Sequence, residues 1–328
     1  MIRPGRDADA AGFIALIGDC WAEYPNCVLD VDGEVPELRA LATYFAGQGG
    51  MLWAAEHDGK VVGMVGTRPM HSDRAWEICR MYVAADQRGS GLAARLLETA
   101  EAEARAQGAA RLVLWTDTRF DRAHGFYEKR GYVRQGAIRI LDDLSKSLEF
   151  RYAKPAIGLV VEALDAAAAA SAERRLAEIL AACVAAGPGL SFRHPLPPDR
   201  ARAAWRRAAA DVAAGRRLLL AAWLEGALVG TVQLLLDMPE NQAHRAEVAM
   251  LLVDPATRRQ GIGRALLQRV EQAAQRLGRR LLVLDSLADG AADRLCHASG
   301  WTAAGAVPGF ALDAEGAEHA AIRFWKRV

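Results

Sequence analysis

Cysteine is scarce in this sequence and follows no pattern. Cys20, Cys27, Cys79, Cys183 and Cys296 are five, an odd number, with no C-x-x-C among them. That excludes a disulfide framework and a zinc finger or ribbon. The seven histidines are scattered, none at ligand spacing from another, so no metal centre is expected. An excess of either charge is missing too: the formal net charge is +1, which gives no pull toward nucleic acid or an anionic membrane. The opening MIRPGRDADAAG holds no sustained apolar stretch, so no secretory leader is expected. The most apolar run, LLLAAWLEGALVGTVQLLL (218–236), is interrupted by Glu225-Gly226. This turn signal predicts two buried strands and a hairpin, not a membrane span. These absences together predict a protein of the reducing cytoplasm.

What is present is a repeat. The 328 residues, 52% apolar and 25% charged, suffice for two cores. EICRMYVAADQRGSGLAARLL (77–97) lies without a gap over EVAMLLVDPATRRQGIGRALL (247–267), so that Glu77 falls on Glu247, Val83 on Val253 and Gly91 on Gly261. A repeat of this length means two copies of a domain rather than a solenoid. Apolar spacing predicts helices over 7–21 and 36–48, and a hairpin turning at Asp58-Gly59. The strand AWEICRMYV, a helix over 90–106, the strand RLVLWTD and a helix in RAHGFYEKR follow. The second half repeats the order, with helices near 172–186 and 199–214, a hairpin, the strand AEVAMLLV, a helix, RLLVLD, another helix and closing strands. Each half is thus an α/β unit on a mixed sheet. Lys154-Pro155 is the expected joint, because proline disfavours helix before it and cannot donate to a ladder. The domains are therefore expected at 1–154 and 155–328.

The repeated loop has the form strand, R-x-x-G-x-G/A, helix. In the first copy it is Arg88-Gly89-Ser90-Gly91-Leu92-Ala93. In the second it is Arg258-Arg259-Gln260-Gly261-Ile262-Gly263, followed by Arg264. A helix N-terminus offers unpaired N–H groups and partial positive charge. Glycines let those groups turn toward an anion, and arginine adds a forked cation. The combination predicts a pyrophosphate cradle. A dinucleotide-binding turn is excluded by context: Ala84–Arg88 separate the strand from the first glycine, and three strands precede the unit. A nucleotide P-loop is excluded because its Lys-Ser/Thr is missing.

At these residues the sequence resembles the GNAT superfamily of acyl-CoA N-acyltransferases, twice over. The loop, the preceding RMYV and AHGFYEKRGY (123–132) carry the resemblance in the first half. The second half is similar to the tabtoxin-resistance acetyltransferase branch through NQAHRAEVAMLLVDPATRRQGIGRALL, LLVLDS and GWTAAGAVPGFALDAEG. It departs from that branch at Met250, where lysine is usual, and at Cys296, where tyrosine is usual.

The resemblance implies two consecutive GNAT-type domains, acetyl-CoA as acyl donor and CoA as product. The strand before each loop is expected to splay from its neighbour and to offer backbone groups of Tyr82-Val83 and Leu252-Val253 to pantetheine. Glu77 and Glu247 occupy the place of a general base, although a glutamate on the polar face of a strand would look the same. Tyr127 matches the tyrosine that protonates the departing thiolate, and Cys296, a small apolar residue, stands in its place in the second half. Asp285 matches an acid that contacts the acceptor. Thr116, Asp117 and Arg119 line the comparable edge of the first half, where Arg119 and Arg80 would suit a carboxylate-bearing substrate.

The expected activity is acetyl transfer to the primary amine of a small molecule, by direct attack in a ternary complex. The N-terminal domain is the favoured catalyst. A non-catalytic pair that senses acyl-CoA or docks a protein, and catalysis in the C-terminal domain, remain alternatives. No nucleic acid or membrane partner is expected. The protein is expected to be a monomer, paired within the chain like a dimer, or a homodimer.

Overall fold

The computed structural model describes residues 1–71, 74–187, 191–313 and 316–328. Ala314 and Glu315 of the quoted GWTAAGAVPGFALDAEG lie outside the described residues. The chain divides into two compact units, Met1–Tyr127 with Arg134–Ile157, and Glu128–Val133 with Gly158–Val328.

The first unit runs β1 (Ile2–Pro4), α1 (Ala10–Ala22), α2 (Leu41–Gly47), β2 (Met51–His57), β3 (Lys60–Pro69) and β4 (Ala75–Val83). It continues with α3 (Leu92–Ala106), β5 (Arg111–Asp117), α4 (Asp121–Glu128), β6 (Val133–Arg134), β7 (Arg139–Ile140) and β8 (Leu148–Pro155). The sheet order is β1-β2-β3-β4-β5-β8-β6, with β7 on β8. Pro155 still pairs with Arg111 at the end of β8, so the expected joint lies inside the sheet. The predicted helix over 7–21 begins with a 3-10 turn at Asp7–Asp9, and that over 36–48 with one at Pro36–Ala40.

The second unit repeats this order: β9 (Leu159–Leu164), α5 (Ala166–Ser171), α6 (Glu173–Ala185), α7 (Pro198–Ala213), β10 (Arg217–Leu224) and β11 (Ala227–Leu235). Then come β12 (Arg245–Val253), α8 (Ile262–Arg276), β13 (Leu281–Leu287), α9 (Ala291–Ala298), β14 (Thr302–Leu312) and β15 (Glu318–Arg327). Its sheet order is β14-β15-β13-β12-β11-β10-β9. The apolar run at 218–236 forms the β10–β11 hairpin, as its Glu225-Gly226 turn predicts. Among the described residues no helix is long and apolar enough to cross a membrane.

One irregularity occurs in both sheets. Arg80 and Met250, which the repeat aligns, both have positive φ (51° and 50°). At each the strand slips against its hairpin partner, between Met64 and Gly66 in one sheet and Thr231 and Gln233 in the other. These are β-bulges, which bend a strand and interrupt pairing. On the other side of each bulged strand, parallel pairing stops early. β4 pairs with β5 only from Ala75 to Ile78, and β12 with β13 only from Arg245 to Glu247. Beyond those points the strands splay, and the loop and following helix lie at the open end.

Candidate active site

Each unit carries a cradle at the open end of its splay. Gly91 and Gly261 have φ of 83° and 81°, a conformation that costs glycine little and other residues more. The first backbone bonds of the following helices are Arg95 N–H to Gly91 O and Ala265 N–H to Gly261 O. The amides of Ala93 and Ala94, and of Ile262, Gly263 and Arg264, therefore have no intrahelical acceptor. The Leu92 amide is turned back onto Ser90 Oγ at 3.3 Å. Arg88, Gly89, Ser90, Arg258, Arg259, Gln260 and Arg264 are exposed around these amides, while Leu92 and Ile262 anchor the helices in the cores. Exposed N–H groups at a helix start fit a phosphate-bearing ligand such as the pyrophosphate of an acyl-CoA.

The loop arginines differ between the units. Each donates through Nε to the carbonyl of the strand's last residue, Arg88 to Val83 at 3.3 Å and Arg258 to Val253 at 3.4 Å. A thiol from a leading helix reaches the same carbonyl: Cys20 on α1 in one unit, Cys183 on α6 in the other. The fork of Arg88 is then taken bidentately by Glu23, at 2.7 and 2.6 Å. Among the described residues Arg258 has no carboxylate in ion-pair range. Glu23, Cys20 and Cys183 escape sequence reasoning because they come from other elements.

Tyr82 and Val83 pair with Met64 and Gly63, and Leu252 and Val253 with Thr231 and Gly230. Their opposite edges face the splay. The Tyr82 phenol is not there: it accepts a hydrogen bond from Trp21 Nε1 at 3.1 Å, and burial pushes its pKa up. Tyr127 lies on α4, 7% exposed, with its hydroxyl 3.6 Å from the sulfur of Met81, the residue after Arg80 in the bulge. In the second unit Cys296 is fully buried in the core, and burial pushes its thiol up to about 12. It presents no accessible proton donor.

The acidic candidates divide by face. In the first unit Glu77 is opposite Arg68 and accepts its guanidinium at 2.8 and 2.7 Å. Two residues further along β5 from the level of Glu77, Trp115 follows Val113, and then Asp117, all on one face by strand alternation. Asp117 is held below the usual carboxylate range: burial opposes this, but hydrogen bonds from the Arg119 side chain and amide outweigh it. Arg119 and Arg80 are thus not free cations for a substrate carboxylate, since Arg80 pairs with Glu37 at 2.6 Å. Thr116 departs from the expected edge as well. It is paired opposite Phe150, on the face that His124 of α4 covers.

In the second unit Glu247 is half-buried and, among the described residues, has no hydrogen bond or ion pair. The residue opposite it on the hairpin strand is Leu235 rather than an arginine. Asp285 is bound bidentately by Arg323, at 2.8 and 2.7 Å. Among the described residues no group of three His, Cys, Asp or Glu side chains could hold a metal ion.

The acetyltransferase (GNAT) family model matches the chain twice, over residues 15–132 and 172–301. The chain is 29% identical over 120 residues to N-acetyltransferase 8 of Homo sapiens, covering 35% of this chain and 51% of that protein. It is 33% identical over 100 residues to the N-acetyltransferase YjgM of Escherichia coli, covering 30% of this chain and 59% of that one. The chain spans about half the length of the curated relatives it matches. Among solved structures it resembles yncA of Salmonella typhimurium, solved with its cofactor acetyl-CoA, at 20% identity and a TM-score of 0.44, covering 52% of this chain and 94% of that one. A GNAT-family acetyltransferase of Streptococcus pneumoniae matches at 19% identity and a TM-score of 0.43, covering 52% and 99%. Because the family model covers the bulged strand, the cradle and the helix behind it in both halves, the chain belongs to the GNAT acetyltransferase family and carries its domain twice.

Proposed function

We propose that the protein is an acetyl-CoA-dependent N-acetyltransferase acting on the primary amine of a small molecule, with its chemistry in the first unit. The observation that carries this reading is the placement of Tyr127 beside the bulge, against a buried Cys296 at the matching place in the second unit. Acetyl-CoA would supply an activated acyl group at the splay. The cradle amides hold its pyrophosphate, and the free edge of β4 at Tyr82-Val83 aligns the pantetheine arm. Tyr127 gives its phenolic proton to the departing sulfur, and a carboxylate accepts the proton of the amine. A phenol titrates near 10 and a thiol near 8.5, so this transfer costs only about 2 kcal/mol before the site tunes it.

The second unit keeps the cradle, Glu247 and an Arg258 that, among the described residues, has no carboxylate partner, and lacks the acid. We read it as an acyl-CoA-binding domain whose ancestry lies with the tabtoxin-resistance branch. Tyr127→Phe should lower kcat by roughly 10²-fold, the usual lower range for loss of a general acid, while Cys296→Ala leaves it within twofold. The reverse pattern would move the chemistry to the second unit. Release of no CoA from acetyl-CoA with any primary amine would instead favour a sensing role.

A further inference from the structure

The face of the first sheet that carries Glu77 and Asp117 holds a further carboxylate that the sequence pattern does not single out. Arg139 of β7 is opposite Glu149 of β8, which is opposite Asp117 of β5. The three form a row across the sheet, on the face that carries Trp115 and Glu77. The guanidinium of Arg139 lies over the Trp115 ring, 4.3 Å from its centroid, and binds Glu149 through one oxygen alone, Oε2. Among the described residues Oε1 of Glu149 has no partner, and the side chain is 17% exposed. Asp117, by contrast, has both oxygens committed to Arg119. Among the described residues Glu77 also keeps one oxygen without a partner, but it sits lower in the splay, level with Val113.

We infer, on the footing of the proposed reaction, that Glu149 receives the ammonium group of the acceptor and removes its proton. The free oxygen of Glu149 and its position above the splay together make a seat for a primary ammonium. Charge state agrees with this. Burial pushes the Glu149 carboxyl above its ordinary value; Arg139 opposes the shift, and the charges of Asp117 and Glu77 add to it. A carboxylate raised in this way is a better base than a free one. The other charged and titratable groups about it are Arg151 on its own strand, Arg119 after β5, and Arg80 and Tyr82 on β4. Cys27 and Asp143 face Arg119 from the loops above.

The proton balance closes. Glu149 takes one proton from R–NH3⁺ and releases it to solvent. The nitrogen lone pair forms the C–N bond as the C–S pair leaves on sulfur. Tyr127 protonates that sulfur and recovers a proton from solvent, to which the nitrogen gives its second. The products are the amide, CoA thiol and one proton.

The test uses the full chain, its Glu149→Gln, Glu77→Gln and Arg139→Ala variants, and ethanolamine, putrescine and tyramine as probe amines. For Glu149→Gln the expected result is a fall in kcat/KM for the amine of roughly 10²-fold, loss of the acid limb of the pH profile, and an unchanged Kd for acetyl-CoA. Glu77→Gln should keep the acid limb. Arg139→Ala should move it to higher pH, because the cation that favours ionised Glu149 is gone; a merely structural ion pair would move no limb. An acid limb that persists in Glu149→Gln overturns the inference. If wild type acetylates none of the amines, the proposed function fails, and calorimetric titration of the CoA-loaded protein with the same amines decides the inference separately. Amine binding lost only in Glu149→Gln supports it. No amine binding, or binding indifferent to Glu149, refutes it.

Discussion

Glu23 occupies the guanidinium of Arg88 that, on the proposed reading, a ligand phosphate would need. In the first unit the guanidinium is held bidentately at 2.6 and 2.7 Å, with Arg88 33% and Glu23 32% exposed at the side chain. At that exposure solvent screens the pair, and its worth is about 1 kcal/mol. A ligand pyrophosphate that recruits Arg88 must displace Glu23 and forgo that energy. Removing the carboxylate should therefore tighten acetyl-CoA binding in the first unit by up to about fivefold, since 1.4 kcal/mol is a factor of ten. Among the described residues the second unit has no such latch. The assay is calorimetry in a Gly261→Glu background, where the added carboxylate repels phosphate from the second cradle. A Cβ at Gly261 meets nothing within 4 Å, so the background variant costs only backbone strain, about 1 kcal/mol. Glu23→Gln should lower Kd in that background, and Arg88→Ala should raise it and abolish the effect of Glu23→Gln. If Glu23→Gln leaves Kd unchanged while Arg88→Ala weakens binding, Arg88 reaches phosphate without leaving Glu23. If neither variant changes Kd, the arginine is structural and the amides bind alone.

Other outcomes follow from the same structure. Cys79 and Cys296, both raised by burial to about 12, should resist iodoacetamide at pH 8 in the native protein and react after denaturation, as read by mass spectrometry of each peptide. Lys154 and Glu101, 4% and 7% exposed, form a buried pair at 2.9 Å that Arg105 also supports. Lys154→Met alone should destabilise the first unit by about 3 kcal/mol, and Lys154→Met with Glu101→Leu should recover most of it in denaturant titrations. Asp9 is held low by its hydrogen bond to Arg3. Its contribution is present above the unfolded carboxyl value near 4 and lost as pH falls through the folded value. Wild type should thus lose stability on acidification below about pH 4 more steeply than Asp9→Asn, whose thermal midpoint should change less with pH.

The sequence by itself determined the duplication, the main strands and helices of each half, and both glycine loops. Those features are local: apolar periodicity marks each helix and strand, and glycine spacing marks each turn where positive φ is needed. Gly91 and Gly261 announce their loops for that reason. The bulges were not legible, because Arg80 and Met250 take positive φ without being glycine, and only the pairing of neighbouring strands forces them to. The candidate acids were legible as Glu77, Asp117 and Asp285, but their partners were not. Arg68, Arg119 and Arg323 show their commitments only in register, and Arg80 spends its charge on Glu37 from a preceding turn. Glu149 carries no motif at all. Its place beside Asp117, its single engaged oxygen and its burial arise from three strands meeting across a sheet. Tertiary structure thus decided which carboxylates are occupied and which remain open to a substrate, because that depends on contacts between residues far apart in the chain.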